Sequence, residues 1–114
     1  MEEKRRANRF PVSYDVRVFV DGINDVIGRI VDFSATGMRI ISDKFLVTGC
    51  DYLVYVDLEE IEGFGEDVAF NSRCVWSRED ESSGGYSNGM HLQDVGEKEQ
   101  DIIDRLIESL TKQG

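Results

Sequence analysis

The chain has 114 residues, 40% hydrophobic and 10% aromatic. That is the size and composition of one globular domain with a modest core, and it excludes a disordered chain. Acids outnumber bases 23 to 13, for a net charge of -10, which argues against a general binder of DNA, RNA or anionic membranes.

No apolar run approaches the roughly 20 residues that a membrane helix needs. The charged start at 1–9 lacks the apolar stretch of a secretory signal. The expectation is a cytoplasmic protein without membrane insertion. Cys50 and Cys74 lie far apart and form no C-x-x-C pair, so they read as reduced, partly buried thiols. One histidine, His91, and no His/Cys cluster give no support for a metal site.

Charge is unevenly spread. Residues 1–10 hold four bases (Lys4, Arg5, Arg6, Arg9) and two acids, a net +2; the remaining nine bases and 21 acids make -12. A short basic arm over 1–10 therefore precedes an acidic body, and on charge alone it reads as a solubilising tail.

Pro11 closes the arm. Residues 12–21 alternate, with Val12, Tyr14, Val16, Val18 and Val20 on one side, which predicts a half-buried strand. Asp21-Gly22 and Asn24-Asp25 are turn chemistry, so 26–32 returns as a second strand. A turn at 34–37 leads to a third strand at 38–42. A fourth is expected at 52–58, an acidic loop at 59–67, and a fifth strand at 68–77. A polar loop at 79–87 precedes a sixth strand at 88–95. After Gly96 the period changes. Ile102, Ile103, Leu106, Ile107 and Leu110 form one face of a helix over 97–111, with acids in its first turns. The expected fold is all-β: a six-stranded antiparallel barrel over 12–95 with a C-terminal amphipathic helix, all within one domain, 1–114.

Catalytic constellations are scarce. His91 lies mid-strand between Met90 and Leu92, a structural position. The carboxylate pairs Glu59-Glu60 and Glu79-Asp80 sit in loops and read as solvated surface. No phosphate-binding G-x-x-x-x-G-K-[ST] loop is present. The reading is a protein that is not an enzyme, with no catalytic residues, metal or cofactor.

Two motifs stand out. Arg5-Arg6-Ala7-Asn8-Arg9 is an R-x-x-x-R pair, and guanidinium forks suit phosphate oxygens and the O6/N7 edge of guanine. Asp32-Phe33-Ser34-Ala35-Thr36-Gly37 is a D-x-S-x-x-G turn. Its carboxylate can accept two N–H bonds from guanine, and its serine adds a hydroxyl. Gly37 is expected to supply a positive φ and a close backbone approach.

These two motifs, about 23 residues apart with a hairpin between them, resemble those of the PilZ domain family. The resemblance continues through Cys74-Val75-Trp76 and Tyr86-Ser87-Asn88-Gly89-Met90-His91-Leu92, where Leu92 stands in place of the family's frequent Phe. It implies the six-stranded barrel with a C-terminal helix, and a bacterial receptor for cyclic di-GMP. Carried onto this sequence, it assigns guanine and phosphate contacts to Arg5 and Arg9, with Arg6 as a helper. Asp32, Ser34 and Gly37 would contact guanine or set the turn, and Trp76 would either pack against a base or serve as a residue of the barrel wall. Lys4, just before the first motif arginine, would tolerate the charge of two stacked ligands. The implied mechanism is a ligand that clamps the arm onto the barrel and exposes a surface for a downstream protein. The second class of function is a PilZ-fold adaptor that works through protein contacts and binds no nucleotide.

Overall fold

The computed structural model describes residues 10–21, 26–58 and 68–112. The basic arm, the expected turn at 22–25 and the expected acidic loop at 59–67 lie outside the described residues. Six strands run in chain order: β1 (Phe10–Asp21), β2 (Val26–Phe33), β3 (Gly37–Ser42), β4 (Asp51–Val56), β5 (Val68–Asp80) and β6 (Gly85–Leu92). One helix, α1 (Glu97–Lys112), follows. The strands close a barrel in the order β1-β2-β3-β6-β5-β4, with every neighbouring pair antiparallel. Closure gives each strand two partners, so no sheet edge is left open.

The predicted alternation in β1 holds. Val16, Val18 and Val20 are buried, while Phe19 between them is 41% exposed. Their burial joins Ile30, Phe33, Ile40, Val54, Phe70 and Met90 in one continuous core. The Phe33 and Phe70 rings meet within it, their centroids 6.3 Å apart and tilted by 57°. The segment joining β3 to β4 adds Leu46, which is fully buried. That segment is tied down by Val47 N–H donating to the Tyr52 hydroxyl at 2.9 Å.

Gly49 then makes a bulge against β5. Its N–H donates to Cys74 O at 2.7 Å, and Cys74 N–H donates to Cys50 O at 3.0 Å. Gly49 sits at φ 90°, a left-handed conformation that this bulge requires and glycine adopts freely. Both cysteines are free thiols, but only Cys74 is buried and Cys50 is exposed. Burial pushes the Cys74 thiol above its ordinary pKa.

Helix α1 packs on β1 through Ile103 and Leu106, both buried, with Ile102 and Ile107 partly covered. Its start is capped. Gly96 accepts the first helical bond from Gln100 N–H, and Gly96 N–H donates back to Glu99 Oε1 at 3.0 Å. Glu99 thus satisfies a donor that the helix leaves unpaired, and its charge favours that end of the dipole.

The largest departure from the sequence reading is the β5–β6 hairpin. The expected loop over 79–87 is mostly strand. The ladder runs on through Ser77↔Asn88 and Arg78↔Ser87 to Asp80↔Gly85, with only 81–84 as a turn. Polar residues on an exposed hairpin extension lack the apolar alternation by which strands are recognised. The sixth strand accordingly ends at Leu92 rather than at 95. In β4, Asp57 and Leu58 fall outside the strand, although Leu58 is fully buried.

A buried polar cluster crosses this hairpin. Asn88 is inaccessible to solvent. Its amide donates to Ser42 Oγ at 2.8 Å and to Ile40 O at 3.3 Å, and its Oδ1 accepts from Ser77 Oγ at 2.6 Å. Ser42 Oγ in turn donates to Lys44 O at 2.7 Å. Removing the amide takes the acceptor from the Ser77 hydroxyl and a donor from both Ser42 Oγ and Ile40 O. Asn88→Ala is expected to destabilise the fold by about 3 kcal/mol, read as a fall in Tm of roughly 10 °C by calorimetry. An unchanged Tm would show the cluster to be unimportant for stability.

Candidate functional site

Asp32 and Trp76 owe their positions to two bulges. In a regular strand, residues two apart share a face. Ile30 and Cys74 are both buried in the core, so simple alternation would send Asp32 and Trp76 inward after them. The register instead slips by one residue between Ile30 and Asp32 and again between Cys74 and Trp76. Each slip re-aims the following side chain outward, a recurrent use of bulges next to functional sites.

The two residues then lie in one lateral row, because Asp32 pairs with Arg39, Arg39 with Gly89, and Gly89 with Trp76. Three strand spacings separate the ends, about 14 Å.

Within this row Arg39 is the organising cation. Its Nε donates to Asp32 Oδ2 at 2.9 Å, and its Nη1 donates to Ser87 Oγ at 3.2 Å. The Asp32 side chain is only 14% exposed while that of Arg39 is 39% exposed, so the pair sits half out of water. At the other end, the Trp76 indole covers Gly89. A Cβ on Gly89 would overlap the indole ring nitrogen, so glycine is what lets the ring lie against the strand. The Arg78 guanidinium stacks 4.9 Å from the Trp76 ring centroid, a cation–π contact. Arg39 and Arg78 were missed in the sequence. Each lies two residues beyond a motif residue, Gly37 and Trp76, and so faces the same way once the register is known.

Ser34 and Gly37 play a different part. Ser34 is buried, and its Oγ accepts from Thr36 N–H at 3.3 Å and Gly37 N–H at 3.2 Å. Ser34 N–H donates to Gly37 O at 2.8 Å. The hydroxyl is thus engaged in closing the turn that carries Asp32 into β3. The expected positive φ at Gly37 is not found; among the described residues the positive-φ glycines are Gly49 and Gly84. The glycine is needed for close packing, since a Cβ there would overlap Met90 O on β6.

The remaining candidates, Lys4, Arg5, Arg6 and Arg9, lie outside the described residues. The point where their segment joins the barrel is defined: Phe10 pairs with Phe33 and Pro11 with Asp32. Arg9 is therefore one residue from a strand position opposite the D-x-S-x-x-G turn.

A model of the PilZ domain matches residues 3–109. The chain belongs to the PilZ domain family.

No curated protein matches this PilZ domain in sequence, but solved structures match its fold. The PilZ domain of YcgR from Escherichia coli with c-di-GMP superposes with a TM-score of 0.78 at 15% identity, covering 96% of this chain and 93% of that one. YcgR in complex with c-di-GMP, also from Escherichia coli, gives 0.76 at 17% identity over 96% of this chain and 47% of that one. The Bacillus subtilis inhibitor of motility MotI/DgrA gives 0.72 at 12% identity over 95% and 51%. This PilZ domain thus spans about half the length of the latter two proteins. At these identities the likeness establishes the six-stranded barrel with its C-terminal helix. Among the described residues, no helix is long and apolar enough to cross a membrane, and no group of three or more His, Cys, Asp or Glu could hold a metal ion.

Proposed function

We propose that this PilZ domain is a non-catalytic cytoplasmic sensor of cyclic di-GMP. The single observation that carries the reading is the pairing of Pro11 with Asp32. Pro11, two residues after the last arginine of the R-x-x-x-R segment, lies opposite Asp32 of the Asp32–Arg39 pair, which supports a clamp by that segment. In this reading Asp32 accepts the N1–H and N2–H bonds of one guanine, and Arg39 holds the carboxylate in place for them. The Arg78 guanidinium, stacked on the Trp76 ring, offers its flat face to a base, with Trp76 backing it. Arg5 and Arg9 take the phosphates and a guanine edge, with Arg6 assisting. Ser34 and Gly37 serve by holding the turn. Two YcgR structures contain c-di-GMP on this fold, which supports the choice of ligand.

A dianionic ligand meets a body of charge -12 outside the arm, so affinity must come from a local basic clamp rather than long-range attraction. Closing the arm over the ligand orders a segment and makes a new surface, which is the signal offered to a downstream protein. Lys4 extends the clamp by one cation and favours two ligands per site.

Isothermal titration calorimetry with cyclic di-GMP tests this. Wild type should bind at micromolar or tighter affinity. Asp32→Ala should weaken binding about tenfold, the worth of one or two bonds to a charged group. No heat, and no displacement of a fluorescent analogue from folded wild type, would overturn the sensor reading in favour of an adaptor that works through proteins alone. The molar ratio at saturation reports the number of ligands held.

A further inference from the structure

Cys50 and Cys74 stand opposite each other where β4 begins. Asp51 pairs with Arg73, and the next step of the antiparallel register sets Cys50 against Cys74. Two hydrogen bonds fix this step: Cys74 N–H donates to Cys50 O at 3.0 Å, and Gly49 N–H donates to Cys74 O at 2.7 Å. Paired residues that exchange ladder bonds have Cα atoms about 5.5 Å apart, a span that a disulfide bridges. Alternation also puts the two side chains on one side of the sheet. Cys74 continues the inward positions Phe70 and Ser72, and Cys50 precedes the inward positions Tyr52 and Val54, all four buried.

The two thiols are unequal. Cys50 lies before the strand proper and is exposed, while Cys74 is buried. Burial first, with Cys50 adding to it, holds the Cys74 thiol above its ordinary pKa. Cys74 keeps its proton and donates it from Sγ to Trp76 O at 3.3 Å, across the bulge that turns the indole outward. Cys50 is the thiol open to a reagent in solution. An accessible thiol with a second one placed to resolve its adduct is the arrangement of redox-sensing cysteines.

We propose that Cys50 is a site of oxidative modification by low-molecular-weight disulfides, and that Cys74 resolves the adduct into an intramolecular bond that displaces Trp76. Cys50, as thiolate, attacks one sulfur of glutathione disulfide, and glutathione leaves as a thiolate that takes up a proton. Cys74 then gives its proton to solvent and attacks the Cys50 sulfur, so the S–S bond closes and a second glutathione leaves and is protonated. In sum two protein thiols are oxidised and one glutathione disulfide is reduced to two glutathiones. Closure removes the Sγ–H that Trp76 O accepts, on the strand where the indole lies against Gly89. The bulge loosens and the ring moves off Gly89 toward water. The Cys50 sulfur stays within reach of a free thiol, so the bond is reversible. The proposal goes beyond the sensor reading and does not depend on it.

The test is intact-mass spectrometry and fluorescence on the folded full chain, equilibrated with glutathione disulfide and glutathione at graded ratios. Trp76 is the only tryptophan, so the emission maximum reports its surroundings alone. Wild type should lose two hydrogens in mass, keep no lasting glutathione adduct and shift its emission maximum to longer wavelength, and dithiothreitol should reverse both changes. Cys50→Ser, at an exposed position, should take up no glutathione and show no shift. Cys74→Ala should stop at a single glutathione adduct. Peptide mapping of oxidised wild type should join the peptides that carry Cys50 and Cys74, which assigns the bond even where Cys74→Ala fails to fold. A wild type that stays reduced, that holds glutathione on Cys50 without closing, or that links two chains through Cys50 overturns the proposal. So does a bond that forms only in urea, or one that leaves the emission maximum in place. Calorimetry with cyclic di-GMP on the reduced protein tests the sensor reading separately, so either can fail while the other stands.

Discussion

Replacing Arg5 and Arg9 together with alanine is expected to weaken cyclic di-GMP binding by about a hundredfold or more in calorimetry, with no change in Tm. Each guanidinium bond to a charged phosphate contributes roughly 1.5–3 kcal/mol, and about 1.4 kcal/mol is a factor of ten. The effect should exceed that of Asp32→Ala, because the arm carries four of the thirteen bases and the body around the site is acidic. The variant should also lose most of the salt dependence of binding, since its phosphate contacts are gone. Retained affinity in the double variant would move the ligand off the arm and onto the barrel arginines, Arg39 and Arg78 foremost.

Gly37→Ala is the second large effect, and it acts on the fold first. The new methyl would overlap Met90 O, a backbone atom in the neighbouring strand. Neither partner can rotate away, because Met38 pairs with Met90 and Gly37 with His91 in a continuous ladder. The β3–β6 pairing must separate at its end, taking with it the Leu92 N–H bond to Thr36 O of 2.9 Å. Overpacking of this kind costs about 3 kcal/mol, a large share of the roughly 5–15 kcal/mol that holds a domain folded. A fall in Tm of about 10 °C is expected, with weaker ligand binding because the turn presenting Asp32 is deformed. A variant as stable as wild type would mean that the two strands can part locally without consequence. Binding measured well below its Tm separates loss of the turn from global unfolding.

Much of the candidate site was legible before the fold was known. The D-x-S-x-x-G turn falls where polar and glycine residues interrupt two apolar strands, and its serine does close the turn. The reason for the glycine differs from the one expected. A positive φ is a local property that a motif can suggest, whereas a carbonyl on another strand is a contact that only the pairing of β3 with β6 creates. Arg39 illustrates the same limit. Nothing in Met38-Arg39-Ile40 marks the arginine as more than a surface residue of a strand. It becomes part of the site because Asp32 lies opposite it across a bulged pair.

The β5–β6 hairpin shows where pattern reading runs out. Glu79, Asp80, Gly85 and Ser87 carry no apolar alternation, so they read as loop. They form strand because the ladder begun by Ser72↔Leu92 continues to satisfy backbone groups beyond the core. The buried Asn88 has the same origin. An asparagine opening a predicted strand carries no sign of burial, yet hydroxyls from β3 and β5 converge on it in the closed barrel.

By itself the sequence determined the local elements and their chemistry: alternating valines for β1, a 3.6-residue period for α1, turn residues at 34–37, and a basic arm before an acidic body. These are properties of neighbouring residues, and neighbours along the chain are enough to specify them. The tertiary structure alone decided which way Asp32 and Trp76 face. Both follow a core residue by two positions and would point inward in a regular strand. Only the slips in register against β3 and β6 turn them outward, into one row with Arg39 and Gly89. Register is a relation between strands far apart in sequence, set by barrel closure and core packing, and a single strand's pattern does not contain it.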